Sequence, residues 1–305
     1  MASAGVLIVG LVERGAGKTT LAVAVASALR KVGGRPGVFK PVARHDWFTQ
    51  YDLTLENLRR RGLFCEDVVR LSRVAGIREP YELLNPVDVL LAPLDPTTFI
   101  DFRVPNTYYS FQGDLARRTI LARLAVHREG ELRRIALVNE WSLDRGILVV
   151  DEEVIEGVLE GVDEVVRVES IDAFKRALLS KSTKAVESCY RLLSERYPIL
   201  VVEGYGDVAW PLPWRARVDV VLAVAPGVVL VYDPVKYKTA VELVSSAGKL
   251  YRGVRVSDIF GLLRPERAFK VGPVGKVELP ESFSLRKYGG LLSYLVELLE
   301  EGVET

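Results

Sequence analysis

Apolar residues in this chain fall into short runs and helical stripes separated by glycine and proline. Val6–Gly10 is a continuous apolar run, the pattern of a strand buried on both faces. A glycine-bearing loop follows, and then Leu21, Ala22, Val25, Ala28 and Leu29 recur at helical spacing and predict a helix over Lys18–Lys31. Gly33, Gly34 and Pro36 end that helix, and Gly37–Lys40 reads as the next strand, stopped by Pro41. From Ala43 to Gly130 the pattern is irregular. Helices are expected at Leu53–Arg61, Cys65–Val74 and Asp114–Leu124, with a long loop punctuated by Asn85–Pro86, Pro93, Asp95–Pro96 and Pro105–Asn106. Strands are expected at Arg134–Val138 and Gly146–Val150, then helices at Glu152–Leu159, Ile171–Leu179 and Lys184–Arg196. The apolar run Ile199–Val202 leads into Glu203-Gly204, and Val218–Val224 and Val228–Val231 form two strands around a turn. Helices at Lys238–Ser246, Asp258–Leu263 and Gly290–Glu300 complete the expected order, the last with Leu291, Leu292, Leu295, Leu298 and Leu299 on one face.

Strand, loop, helix, strand in that order predicts an α/β fold with a mostly parallel sheet flanked by helices. No internal repeat or clean linker interrupts it, so a single domain over 1–305 is expected, elaborated over approximately 43–130.

Composition narrows the function classes. The chain has 305 residues, with 41 basic and 40 acidic side chains, a formal net charge of +1 and 49% hydrophobic residues. That hydrophobic content excludes a disordered chain, and two cysteines exclude a disulfide-stapled scaffold. The near-neutral balance argues against nucleic acid as a partner. No apolar segment approaches the roughly 20 residues that span a bilayer, and the start lacks the basic region of a signal peptide, so no membrane and a cytoplasmic location are expected. Four asparagines, two glutamines and one methionine beside many charges point to a heat-adapted (thermophile) protein.

The strongest chemical signal is Gly10-Leu11-Val12-Glu13-Arg14-Gly15-Ala16-Gly17-Lys18-Thr19-Thr20. A phosphate-binding loop needs glycine where side chains would collide with the ligand, a lysine for the outer phosphates and a hydroxyl for Mg²⁺. Gly15, Gly17, Lys18 and Thr19 meet these demands between a strand and a helix; Val12 stands where the general pattern has its first glycine. Glu13, Arg14, Ala16 and Thr20 complete the candidate nucleotide-binding stretch. Two further residues stand at expected strand ends, where ligands bind in open α/β sheets. Lys40 precedes Pro41-Val42 and is placed to reach a transferred phosphate or an acidic substrate. Glu203 opens Glu203-Gly204-Tyr205-Gly206-Asp207 and is placed to coordinate Mg²⁺ or orient a nucleophile. The plainer alternatives are a rim lysine stopped by proline and a surface carboxylate at a glycine turn.

These three stretches resemble the dethiobiotin synthetase and cobyrinic acid amide synthetase group of P-loop proteins, and more distantly the MinD-type ATPases. Lys40-Pro41-Val42 is similar to that family's lysine-proline-valine, and Val202-Glu203-Gly204-Tyr205-Gly206-Asp207 to its later Val-Glu-Gly-Ala-Gly-Gly. The resemblance implies a P-loop NTPase fold, ATP with Mg²⁺, a homodimer, and a metal held by Thr19, Glu203 and an aspartate. The nearest aspartate match is Asp67, ahead of Leu84-Asn85-Pro86, with Asp46 and Asp52 competing for the role. The substrate is not carried over, because Ala43-Arg44-His45-Asp46-Trp47-Phe48 replaces a small serine-glycine region. Tyr205, Asp207 and Trp210-Pro211 also replace small residues and imply a bulkier, aromatic-lined pocket. The MinD-type comparison departs at Glu13, where those proteins carry a lysine.

His45 is one of two histidines and reads either as a general base or substrate contact, or as a packed side chain. The loop Asn106–Asp114, rich in aromatics and amides, reads either as a cover over substrate or as an oligomer contact or core plug. Arg59-Arg60-Arg61 reads as a solvated helix end. No Asn-Lys-x-Asp signature accompanies Ala225-Pro226-Gly227, which favours ATP over GTP. Neither cysteine lies in a glutaminase setting. The expected function is Mg²⁺-ATP-dependent phosphoryl transfer to a small acidic or hydroxylated metabolite, by a kinase or by a ligase working through an acyl phosphate. Lys18, Lys40, Glu203 and His45 are the catalytic candidates. The alternative is a MinD-like regulatory or assembly ATPase controlled by dimerisation.

Overall fold

A computed structural model of the chain describes residues 3–246, 253–273 and 281–301. Its strands in chain order are β1 Ala4–Gly10, β2 Pro36–Phe39, β3 Val42–Asp46, β4 Val87–Leu91, β5 Thr119–Arg128 and β6 Glu131–Asn139. They continue as β7 Glu164–Val168, β8 Ile199–Glu203, β9 Val220–Ala225, β10 Val228–Tyr232 and β11 Arg267–Lys270. The chain forms two compact units. The first comprises 1–41, 67–79 and 190–305, and the second 42–66 and 80–189.

The first unit holds a six-stranded sheet in the order β11-β10-β9-β1-β8-β2. Every residue of β1 is buried, as a central strand with both faces covered must be. It runs parallel to β8 and β9, and β2 runs parallel to β8. Helix Lys18–Lys31 returns from β1 toward β2, burying Leu21, Ala22, Val25, Ala28 and Leu29, the stripe read from the sequence. The expectation of a mostly parallel sheet needs correction at one side, where β10 runs antiparallel to both β9 and β11. Only Pro226 and Gly227 separate β9 from β10, and Gly227 has φ +81°; a loop that short can join only antiparallel neighbours. The fold is thus α/β with mixed sheets flanked by helices.

The second unit has its own five-stranded mixed sheet, β3-β4-β5-β6-β7, and its own core around Trp47, Leu90, Phe99, Leu121, Val138 and Val154. The elaboration expected at 43–130 lies mostly inside this unit, which continues to Cys189 because β6 and β7 extend the sheet begun by β3–β5. The stretch read as irregular is largely ordered. The helix expected over Asp114–Leu124 is instead a single turn, Leu115–Arg118, capped by the Asp114 carboxylate, and then β5. Ile120-Leu121-Ala122 and Leu124-Ala125 are fully buried between β4 and β6, and such a run does not distinguish a buried strand from a buried helix. Gly146–Val150 forms no strand and contributes one isolated bridge, Leu94 to Leu148. β7, with the sequence Glu-Val-Val-Arg-Val, is an edge strand absent from the sequence reading. The two helices expected at Ile171–Leu179 and Lys184–Arg196 are one helix of 26 residues, since the polar stretch Ser180–Thr183 contains no glycine or proline to break it.

Candidate functional site

The site forms at the carboxyl ends of β1, β2 and β8 in the first unit. After β1 the chain bends through Leu11–Ala16 and enters its helix at Lys18. Gly15 has φ +69°, and Gly17, at the helix N-cap, has φ +94°, a backbone that side-chain-bearing residues rarely adopt. Val12, Glu13 and Arg14 are exposed and Ala16 is buried. Gly10 needs the absence of a side chain for a different reason: a Cβ there would lie 2.7 Å from the Val12 carbonyl oxygen and 2.9 Å from both Gly206 O and Lys18 Nζ.

Lys18 and Thr19 are the first residues of the helix after the loop. Lys18 Nζ donates to the Gly206 carbonyl at 2.7 Å. Burial lowers the Lys18 pKa against the opposing pull of Glu203, and the Lys40 charge lowers it further. Thr19 Oγ1 lies 2.7 Å from Glu203 Oε1 and 3.0 Å from Asp67 Oδ1. Lys40 Nζ bridges the same two carboxylates, 2.8 Å from Glu203 Oε1 and 2.7 Å from Asp67 Oδ2. The register explains the convergence. Phe39 pairs with Val202 and Ile8 with Glu203, so the residue after β2 and the last residue of β8 reach the same end of the sheet as the loop. Asp67 arrives on a separate element, the first turn of helix Glu66–Ala75.

The two carboxylates differ in setting. Glu203 is 1% exposed, and its Oε2 is buried without a hydrogen-bond partner. Burial raises its pKa, and the Lys40 ammonium opposes the rise. The Asp67 side chain is one-third exposed. Burial pushes its carboxyl up, but the Lys40 charge and the hydrogen bonds from Lys40 and Thr19 outweigh this and hold it below the ordinary aspartate value. Two hard carboxylates and a hydroxyl around one point form an oxygen donor set. Among the described residues no group of three or more His, Cys, Asp or Glu side chains is arranged to hold a metal by itself.

The remaining candidates lie in other settings. His45, on β3 of the second unit, is 2% exposed with both ring nitrogens engaged: Nδ1 lies 3.3 Å from Asp88 Oδ1 and Nε2 3.3 Å from Asn57 Nδ2. The Phe64 N–H donates to Asn57 Oδ1, which turns the Asn57 amide nitrogen toward His45. Nε2 therefore accepts and Nδ1–H donates to Asp88. Asp46 in the same unit caps its own turn through the N–H groups of Phe48 and Thr49, and its Oδ2 pairs with Arg118 at 2.8 Å. Asp52 is exposed in the first turn of helix Tyr51–Arg59. Of the three aspartates weighed, Asp67 is thus the one joined to Thr19 and Lys40.

Trp210, expected to line a pocket, is 1% exposed, donates its indole N–H to Pro213 O at 3.3 Å and packs against Trp214. Asp207 is paired with Arg255 at 3.0 Å. Asn106–Asp114 is mainly the helix Pro105–Gln112, with Tyr108 and Phe111 edge-on to Phe99 and Tyr109 exposed. Arg59, Arg60 and Arg61 are exposed, as expected of a solvated helix end. Cys65 and Cys189 are buried and form no disulfide, and burial pushes the Cys189 thiol up to about 11.

The sequence reading missed two contributors. The Gly206 carbonyl holds Lys18, and its only signal is the glycine itself, at φ +52°. Arg255 pins the loop after β8 through Asp207 and through a bridge between Val208 and Arg255; nothing in its surroundings in the sequence marks it. Among the described residues no helix is long and apolar enough to cross a membrane. No family model matches the chain, and neither a curated protein nor a solved structure matches it.

Proposed function

We propose that the protein is a cytoplasmic Mg²⁺-ATP-dependent enzyme with a P-loop NTPase fold of the dethiobiotin synthetase type, transferring a phosphoryl group to a small acidic or hydroxylated metabolite. The observation that carries this reading is the meeting of Thr19 with Asp67, Glu203 and Lys40 directly after a loop with Gly15 and Gly17 at positive φ. The donor set fits Mg²⁺, which takes few protein carboxylates and completes its shell with water and phosphate oxygens. Thr19, Asp67 and Glu203 would hold it, and a bound Mg²⁺ would neutralise charge on the phosphates.

The chain's own residues have distinct tasks in this reading. Gly15 and Gly17 let the backbone approach the phosphates without side-chain collision. Lys18, desolvated and held by a single carbonyl, exchanges that contact for a phosphate oxygen. Lys40 supplies positive charge to the group in flight, where interactions made only in the transition state raise turnover.

A panel of metabolites incubated with Mg²⁺-ATP and assayed for ADP tests the proposal. The expected result is ADP formation that depends on one small molecule and disappears in Lys18→Ala. Normal turnover in Lys18→Ala refutes the phosphate-loop mechanism. Slow ADP formation indifferent to every metabolite supports a regulatory ATPase instead.

A further inference from the structure

Asp67 and Glu203 share a cation already present in the chain. The Lys40 ammonium lies 2.7 Å from one and 2.8 Å from the other, with Thr19 on the same pair. Lys40 is 6% exposed, so water contributes little to its solvation. The single carboxylate oxygen left over, Glu203 Oε2, is buried without a partner. We propose that Lys40 is a resident stand-in for the divalent cation, occupying the position between Asp67 and Glu203 until metal and nucleotide arrive together and move its ammonium onto the phosphate. This rests on the proposed function.

Size and charge make the two occupants exclusive. A divalent ion on the two oxygens that Lys40 bridges, Asp67 Oδ2 and Glu203 Oε1, would need metal–oxygen distances of about 2.0–2.1 Å if it is Mg²⁺, and so would compete for the volume the ammonium fills. Two cations packed that closely in a poorly solvated site repel strongly. With Lys40 in place, two carboxylates and one ammonium sum to −1. With a divalent ion in its place they sum to zero, and the ammonium is available to a polyanion. Lys40 can make the exchange because it follows the last residue of β2 on a flexible four-carbon stem. Without a phosphate to receive the ammonium, its displacement leaves a buried charge unpaired. Metal therefore enters with nucleotide, and the empty site does not fill with metal alone.

Titration with Mn²⁺ alone, read by the loss of the free-ion electron paramagnetic resonance signal, tests this without reference to turnover. Wild-type protein without nucleotide is expected to bind no Mn²⁺ up to about 1 mM, whereas Lys40→Met binds one ion at least about tenfold more tightly than that limit. Lys40→Met/Glu203→Gln is expected to lose the gained site. Wild-type protein that binds Mn²⁺ as tightly as Lys40→Met overturns the proposal, and so does a folded Lys40→Met that gains nothing. Lys40→Gln, whose amide still donates to the carboxylates, serves if the methionine variant does not fold. If neither folds, the wild type decides: its Lys40 ammonium nitrogen resonance must shift when Mg²⁺ and a non-hydrolysable ATP analogue are added together, and an unmoved resonance overturns the proposal. Failure of the functional reading looks different, because wild type then binds no nucleotide under any metal condition.

Discussion

Replacing Lys40 by methionine tests the site through stability alone. The Lys40 and Glu203 side chains are 7% and 1% exposed and stand 2.8 Å apart, so removing the ammonium leaves a buried carboxylate with no cation in contact. At an effective dielectric constant of about 20, a pair at that distance attracts by about 6 kcal/mol, much of which desolvation offsets. Breaking one side of such a pair costs about 3–5 kcal/mol. Asp67 adds less to that cost than Glu203, because its side chain is one-third exposed. Lys40→Met/Glu203→Gln removes both charges, keeps similar volumes, and should lie within about 1–2 kcal/mol of wild type. The expected coupling between the two sites is at least about 2 kcal/mol.

Urea denaturation of the four proteins measures it, and pH identifies the group responsible. Burial already raises Glu203 above the ordinary glutamate range in the wild type, and losing Lys40 removes what opposes that rise. A carboxyl with a folded-state pKa above its unfolded value binds more protons in the native state, so stability falls as pH rises through that interval. Lys40→Met should therefore be weakest at neutral and alkaline pH and recover as pH falls toward the unfolded glutamate value, about 4.3. A loss below about 1 kcal/mol, or additive single and double variants, refutes the assigned geometry.

Other expectations follow from the same geometry. Gly17→Ala has room for a methyl group, with Val224 Cγ2 3.9 Å away, and should lose only the backbone cost of φ +94°, about 1–2 kcal/mol. Gly10→Ala should lose about 1–3 kcal/mol from overlap with two carbonyls, and a benign result in thermal melting contradicts the loop described. His45→Leu leaves Asp88, whose Oδ2 is already unpartnered, with one contact fewer and should lose about 1–3 kcal/mol; a stable variant without turnover would instead support a catalytic role for His45. Phosphate beside Lys18 should raise its depressed pKa, so ATP binding without Mg²⁺ takes up protons at alkaline pH. Calorimetry in two buffers of different ionisation enthalpy measures the uptake, which Lys18→Met should abolish.

Short-range patterns carried most of what was legible in the sequence. Helix Lys18–Lys31 was readable because five apolar residues and three terminators agree, and β1, β8 and β9 because apolar runs end in glycine, a charge or a proline-glycine turn. β5 was misread because a run buried on both faces has no alternation to betray its period. β7 was missed because an edge strand with Glu164 and Arg167 in five residues looks like surface. In the site, Lys18, Thr19 and Lys40 each followed a strand or its loop, and Glu203 closed one. Asp67 had no such anchor, and proximity in sequence favoured Asp46 as strongly. Its place depends on helix Glu66–Ala75, which begins where the chain passes from one unit to the other. The Gly206 carbonyl was invisible for a simpler reason: a backbone acceptor carries no side-chain signature.

The charge arithmetic gains meaning at this scale. Lys18, Lys40, Asp67 and Glu203, counted as ionised, sum to zero, as the whole chain nearly does with 41 basic and 40 acidic side chains. These four charges by themselves therefore add no net pull on a polyanion. On the proposed function, affinity comes from short contacts that change partners: Lys18 leaving a carbonyl, and Lys40 leaving two carboxylates. Each cation is already hydrogen-bonded in the empty site, so binding exchanges one set of partners for another and its net gain is the difference between them. Selectivity arises from the same exchange. A ligand with one negative charge can replace the Gly206 carbonyl at Lys18, but it cannot also compensate for taking Lys40 from Asp67 and Glu203. On the proposed function, only a polyanion that brings its own cation satisfies all four groups at once, so the site is expected to favour metal–nucleotide over either component.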